Sequence, residues 1–247
     1  MTATALRASR FLHDRADHYI AVSHAVAEGS RPGLPSNCKL TVVPTMVPNG
    51  LPALAASTPR PDFLPPEDGY LMFVGALGGH KGLDVLLEAK RRMRHQLPLV
   101  LIGTPQVDTP SIADPAVTVA TNVPNAQVMA SWARASVAVI PSVWHEPMGQ
   151  VAVEAMLVGR PVVASDVGGL RDVVEHGRTG LRVPPGNPGA LAAALDRLLD
   201  DPGLRHAMGE VARERARRFE VVQVAPRVVE VFAEALRDRA SVRAASR

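Results

Sequence analysis

Residues 141–165, PSVWHEPMGQVAVEAMLVGRPVVAS, decide how this chain is read. The stretch leaves one apolar run (VAVIPS), crosses a loop, enters a helical pattern (GQVAVEAMLVG) and ends in a second apolar run (PVVAS). Two glutamates sit inside it, Glu146 in the loop and Glu154 in the helix. An unpaired buried carboxylate costs several kcal/mol or takes up a proton. A chain that keeps Glu154 among Val151, Ala152, Val153, Ala155 and Met156 therefore has a use for it. Counting from a helix start at Gly149, a rise of ~1.5 Å per residue puts Glu154 about one and a half turns in.

Outward from this stretch the pattern is regular. YLMFVG, PLVLIG, AVTVA, VAVIPS and PVVAS read as strands, and GLDVLLEAKRRM, NAQVMASWARA and GQVAVEAMLVG as the helices between them. Continuous Val/Ile/Leu strands alternating with helices predict an α/β domain, a doubly wound parallel sheet covered on both faces, with a helical C-terminus. The C-terminal helices are NPGALAAALDRLLDD, GLRHAMGEVARERARRF and VVQVAPRVVEVFAEALRDR, the last expected to be interrupted near Pro226.

Upstream, seven prolines between Pro44 and Pro66 form a density that predicts a linker rather than a helix or central strand. Before it, ADHYIAVSHAVAEG reads as a strand and a short helix, and KLTVVP as another strand. That piece is too small to form a core alone. The expected divisions are residues 1–43 as a remnant of another domain, 44–68 as linker, 69–219 as a Rossmann-like nucleotide-sugar-binding domain, and 220–247 as a crossover helix and tail.

Composition narrows the function. With 247 residues, 47% of them hydrophobic, the chain can bury a sizeable core of Val, Leu and Ala. A net charge of +3 is too mild to imply nucleic acid, though it suits anionic substrates or an anionic membrane surface. No apolar run reaches the length of a membrane span and the N-terminus has no apolar h-region, so any membrane contact is expected to be peripheral. The single cysteine, Cys38, cannot pair within the chain, and a reducing cytoplasm is the simplest compartment. No cofactor is expected, and without an Asp-x-Asp motif the sequence does not require a metal.

Ligands of such sheets sit at the carboxyl ends of the strands. After YLMFVG comes FVGALGGHKG, where Gly75 lets the backbone approach a ligand and Lys81 places a cation before a helix starting near Leu83. The spacing fits neither the dinucleotide fingerprint nor the P-loop, which disfavours a dinucleotide-dependent oxidoreductase. After VAVIPS, Glu146 reaches the strand edge beside the free N–H groups at Gly149 and Gln150, and Gly149 is expected to leave room for a ligand. Amides and a lysine for phosphates, with carboxylates for hydroxyls, suit a nucleoside diphosphate carrying a sugar. A solvated lysine, a loop acid and a helix surface charge remain the alternative for Lys81, Glu146 and Glu154. His145 is expected to pack locally beside Trp144, and Gly168 and Gly169 to form a turn whose amides face the cleft mouth.

Residues 146–188, EPMGQVAVEAMLVGRPVVASDVGGLRDVVEHGRTGLRVPPGNP, closely resemble the C-terminal domain of retaining GT-B glycosyltransferases of the group 1, or GT4, family. The family's E-x7-E motif falls on Glu146 and Glu154, and the resemblance covers about residues 70–219. The N-terminal piece resembles the last strand and helix of the family's first domain. The resemblance implies sugar transfer from a nucleotide sugar with retention and without metal. It assigns Lys81 to the diphosphate, Glu154 to the ribose and Glu146 to the transferred sugar's hydroxyls. Met148, Gly149 and Gln150 would supply loop amides, and Val123 would contact the base. The acceptor, a sugar or a lipid, is left open, and the missing half would come from a partner chain or an upstream segment. A nucleotide-sugar-binding module without activity of its own is the alternative. Two residues depart from the family: Ala76 stands in place of an arginine and Met148 in place of a phenylalanine.

Overall fold

The computed structural model describes residues 16, 18–36 and 38–245, and the side chains of 242–245 are not among the described ones. Six strands form one all-parallel sheet: β3 (Leu71–Val74), β4 (Leu99–Ile102), β5 (Val117–Ala120), β6 (Val137–Ile140), β7 (Val162–Ser165) and β8 (Gly180–Val183). Their order across the sheet is β5-β4-β3-β6-β7-β8. The chain thus runs outward from β3 in one direction, returns to the centre at β6 and runs outward in the other. The turning point between β3 and β6 is where a doubly wound sheet opens a crevice. The expected fold class is the one observed, with helices α3 (Leu83–Arg92), α4 (Asn125–Trp132), α5 (Gln150–Leu157), α7 (Pro188–Asp200) and α8 (Pro202–Ala216) covering the faces.

Burial explains why these runs became strands. Every residue of β4, β6 and β7 is buried, as continuous apolar strands in a covered parallel sheet must be. Side chains alternate faces. Met72, Val100, Ala138 and Val162 enter one core with Trp132 and Met156, while Leu71, Leu101, Val139 and Val163 enter the other with Leu83, Leu195 and Leu198.

A second, two-stranded parallel sheet pairs β1 (His18–Ala21) with β2 (Lys39–Val42), joined through α1 (His24–Ser30). The last helix, α9 (Val221–Ala245), packs against it: Val224 and Val231 meet Val43, and Lys39 bonds to Glu234 at 2.6 Å and Asp238 at 2.7 Å. Residues 1–15, 17 and 37 of the expected N-terminal remnant lie outside the described residues.

Two expectations need correction. The proline-rich segment contains a helix, α2 (Leu51–Ser57). Pro52 lies in its first turn, where a missing N–H breaks no helical bond, and Leu51 and Ala55 join Val47 and Leu64 in the core. Proline density thus misled, because position within the turn matters more than count. Pro226 does not interrupt α9: it removes one donor in the second turn, and the helix continues to Ala245. Strand β8 and the short helix α6 (Leu170–Val173) went unnoticed, since Gly180 and Arg182 dilute the apolar run of β8 and α6 has only four residues.

Candidate active site

The turning point of the sheet carries a cleft of about 300 Å³ lined by Gly75, Lys81, Ser142, Glu146, Met148, Gly149 and Gln150, with Val22 and Thr45 reaching in from the small sheet's side. Lys81 lies in a 3₁₀ turn after β3 (Gly79–Lys81), and Glu146 lies in the loop after β6. They are 65 residues apart in sequence and 2.5 Å apart in space, Nζ to Oε1. Neighbouring central strands deliver them to the same edge.

Both loops are tightly held. Gly82, at φ 73°, caps α3, and a Cβ there would fall 2.0 Å from the Pro141 carbonyl oxygen, so only glycine lets the two loops touch. The N–H groups of Val143 and Trp144 donate to the His80 carbonyl at 3.1 and 3.3 Å, and Gly169 N–H donates to the Glu146 carbonyl at 2.7 Å. The Gly169 amide therefore fixes the Glu146 loop instead of facing the cleft mouth. Gly149 lines the same cleft and is also fixed by packing: at φ 90° an added Cβ would meet the Leu170 side chain at 2.4 Å.

Glu146 is buried, at 7% exposure. Burial alone would raise its pKa, but hydrogen bonds from Lys81, Ser142 and Trp144, with the Lys81 charge, outweigh it and hold the carboxyl below its ordinary value. The Ser142 hydroxyl donates to Oε1 at 2.7 Å. Glu146 is accordingly an ionised acceptor, suited to hydroxyl hydrogens. Lys81 Nζ also stands 4.9 Å from the centroid of the Trp144 ring, against which His80 packs edge-on at 5.7 Å. One of three ammonium donors is directed at Glu146, which leaves the others for a ligand.

Glu154 contrasts with it. In the second turn of α5 it is partly buried, and that burial without a compensating partner raises its carboxyl pKa to about 7. The cleft brings together Gly75, Lys81, Glu146, Met148, Gly149 and Gln150, but Glu154 and Val123 are not in its lining. Val123 packs partly buried against the core in the loop after β5, two strands from β3. At about 4.8 Å per strand that is roughly 10 Å along the same sheet edge.

Sequence reading missed Ser142 and Trp144, the residues that orient Glu146 and Lys81. Ser142 stands four residues before Glu146 in the same short loop, a separation from which one side chain can reach the other. His145, beside Trp144, is exposed and lines a different cavity with α1, while the indole ring packs against His80 and Lys81. Lys81 is the cation among the lining residues, and no second basic side chain there stands in for the arginine that Ala76 replaces. No group of three or more His, Cys, Asp or Glu among the described residues is placed to hold a metal. No helix among them is long and apolar enough to cross a membrane.

The family described as Glycosyl transferases group 1 matches residues 57–215. A D-inositol 3-phosphate glycosyltransferase of Kineococcus radiotolerans is 36% identical over 221 residues, which cover 78% of this chain and 50% of the relative. A protein of that name from Streptomyces bingchenggensis is 34% identical over 193 residues, 70% of this chain and 42% of the relative. The chain thus spans about half the length of these curated relatives. Among solved structures, sucrose-phosphate synthase from Thermosynechococcus elongatus superimposes with a TM-score of 0.78 at 26% identity, over 96% of this chain and 63% of that one. Anabaena HepE, solved in complex with UDP, gives a TM-score of 0.80 at 23% identity over 95% of this chain and 68% of that one, a likeness of fold.

Proposed function

The chain belongs to the glycosyl transferases group 1 family, and from that membership we propose that it is the donor-binding half of a retaining, metal-independent glycosyltransferase using a nucleoside diphosphate sugar. The observation that carries this reading is the Lys81–Glu146 pair at the turning point of the sheet, beside the free N–H groups that open α5. The two ends of a sugar diphosphate need that pairing of opposite chemistries. The free donors of Lys81 and the α5 amides take the diphosphate, and the Glu146 carboxylate accepts hydrogen bonds from the sugar's hydroxyls. Glu154 holds the ribose, and Val123 touches the base about 10 Å along the edge. Family membership and the UDP bound by Anabaena HepE support a uridine nucleotide as the first donor to try.

In the reaction, the bond from the anomeric carbon to the diphosphate oxygen breaks as the acceptor oxygen bonds to that carbon and passes its proton to the departing diphosphate. Charge gathers on the leaving diphosphate, and Lys81 and the amides stabilise it as it forms, which is the main catalytic contribution. Glu146 stays ionised throughout and positions the sugar; a carboxyl held below its ordinary value is a poor proton donor. Because Ala76 supplies no charge, grip on the diphosphate rests on Lys81. The curated relatives make a phosphorylated polyol the acceptor to test, with the protein working in the cytoplasm or peripherally at a membrane.

A second reading, a donor-binding module inactive by itself, is favoured by the small sheet: among the described residues it has two parallel strands whose faces are half-exposed. Calorimetry with UDP and UDP-glucose tests the donor site. Turnover of UDP-glucose with inositol phosphate, with and without a co-expressed α/β domain paired to β1, separates the readings. Absence of nucleotide binding overturns both.

A further inference from the structure

A second cavity of about 300 Å³ lies where the small sheet meets the six-stranded unit. Its polar lining is His24, Asp172, Arg218 and Arg227, and it shares Val22 and Met148 with the donor cleft. The two guanidinium groups are held in an unusual way. Arg218 Nη2 donates to the Asp172 backbone carbonyl at 2.6 Å and its guanidinium lies 4.8 Å from the Phe219 ring. Arg227 Nη2 donates to the Val42 carbonyl at 2.8 Å. Among the described residues neither forms an ion pair with a carboxylate, in contrast with Arg215, which pairs with Glu175, or Arg94, which bonds to Asp200. Asp172 is engaged elsewhere: its Oδ2 accepts from His24 N–H at 2.7 Å and lies 3.2 Å from His24 Nδ1.

Both residues are exposed at the cavity mouth; partial burial of Arg218 and the nearby Arg215 charge pull its pKa down, while the Asp172 charge works the other way. Neutral carbonyls aim both forks while leaving most of their five N–H donors unused. Two such forks match the two charges and three oxygens of a phosphomonoester better than a single-charged carboxylate. The second oxygen of Asp172 is left to accept from hydroxyls. The geometry points to this cavity as the binding site for a phosphomonoester group, the anionic end of the acceptor, held against Met148 one side chain away from the donor. This rests on the transferase reading for the ligand's role, though not for its binding.

The test is a titration of the full chain with methyl phosphate, followed by calorimetry, in saturating UDP so that the donor cleft is occupied, and again in the Lys81→Ala chain. Saturable binding is expected in both, weakened about tenfold or more by Arg227→Gln and by Arg218→Gln, with UDP affinity unchanged by either. Arg218 also ties two elements together, so Arg227→Gln, whose side chain touches one carbonyl near the surface, decides if Arg218→Gln fails to fold. No methyl phosphate binding, equal binding by the Arg227→Gln chain, or equally tight binding of acetate overturns the proposal. Methyl phosphate binding without UDP binding sustains this site and overturns the donor reading instead.

Discussion

The six-stranded unit and the two-stranded unit are built from the same parts and held by different forces. In the larger, every residue of β4, β6 and β7 is buried and two apolar cores cover the two faces. In the smaller, only Ala21 of the eight strand residues is fully buried, and its core amounts to Val43, Val224 and Val231 with Met46 and Val228 against them. Polar ties hold it instead: Lys39 to Glu234 and Asp238, His24 to Asp172, and Arg227 to Val42. Exposed ion pairs contribute little net stability. The large unit therefore carries both the stability and the charged pair, while the small one contributes walls to the clefts and depends on its neighbour for support.

The largest expected difference between the units is in amide exchange. Protection in β3, β4 and β6 should exceed that in β1 and β2 by several orders of magnitude, because local opening of the small sheet exposes little apolar surface. Equal protection in hydrogen-exchange mass spectrometry would erase the distinction.

Next in size is Lys81→Ala. Loss of one charge-assisted contact to a diphosphate, about 1.5–3 kcal/mol, corresponds to a ten- to hundredfold weaker affinity for UDP by calorimetry. The same change strands Glu146, so its carboxyl pKa should rise, visible by NMR as a later titration. A Lys81→Ala chain with unchanged UDP affinity would detach the central pair from function.

A smaller effect belongs to Glu154. Its folded pKa of about 7 lies above the ordinary carboxyl value, so the folded state binds the extra proton between the two. Stability from this group is full below about pH 4.5 and is lost as pH rises through 7. Glu154→Gln should thus stabilise the chain at pH 8 and change it little at pH 4.5, in urea unfolding. If Glu154 accepts ribose hydroxyls as a carboxylate, UDP binding by the natural chain should strengthen several-fold more between pH 6 and 8 than binding by Glu154→Gln. Pyrophosphate should show no such difference between the two chains, and a difference there would place Glu154 on the phosphates.

The smallest is Lys39→Ala, which should speed exchange in β2 and α9 while leaving the melting of the six-stranded unit in place. A shift of the main transition would mean the two units unfold as one.

How far the sequence led can be traced in particular residues. The strand runs around β4, β6 and β7 were legible because full burial on both faces permits no polar interruption. The helix starts at Gly149 and near Leu83 were legible, but not that Leu170 and Pro141, distant in sequence, press against Gly149 and Gly82. Helix α2 was hidden by the prolines around it, since its stability comes from Leu51 and Ala55 in a shared core and not from propensity.

The sequence by itself determined the fold class, the family resemblance and the residue types at the strand ends, because hydrophobic period and local spacing are written along the chain. Tertiary structure alone decided that β3 and β6 lie side by side and hold Lys81 and Glu146 together across 65 residues. It also decided that Glu146 is ionised by its partners while Glu154, partly buried without them, is poised near neutrality. Charge state depends on burial and on which opposite charge stands within a few ångströms, and neither quantity exists until the chain has folded.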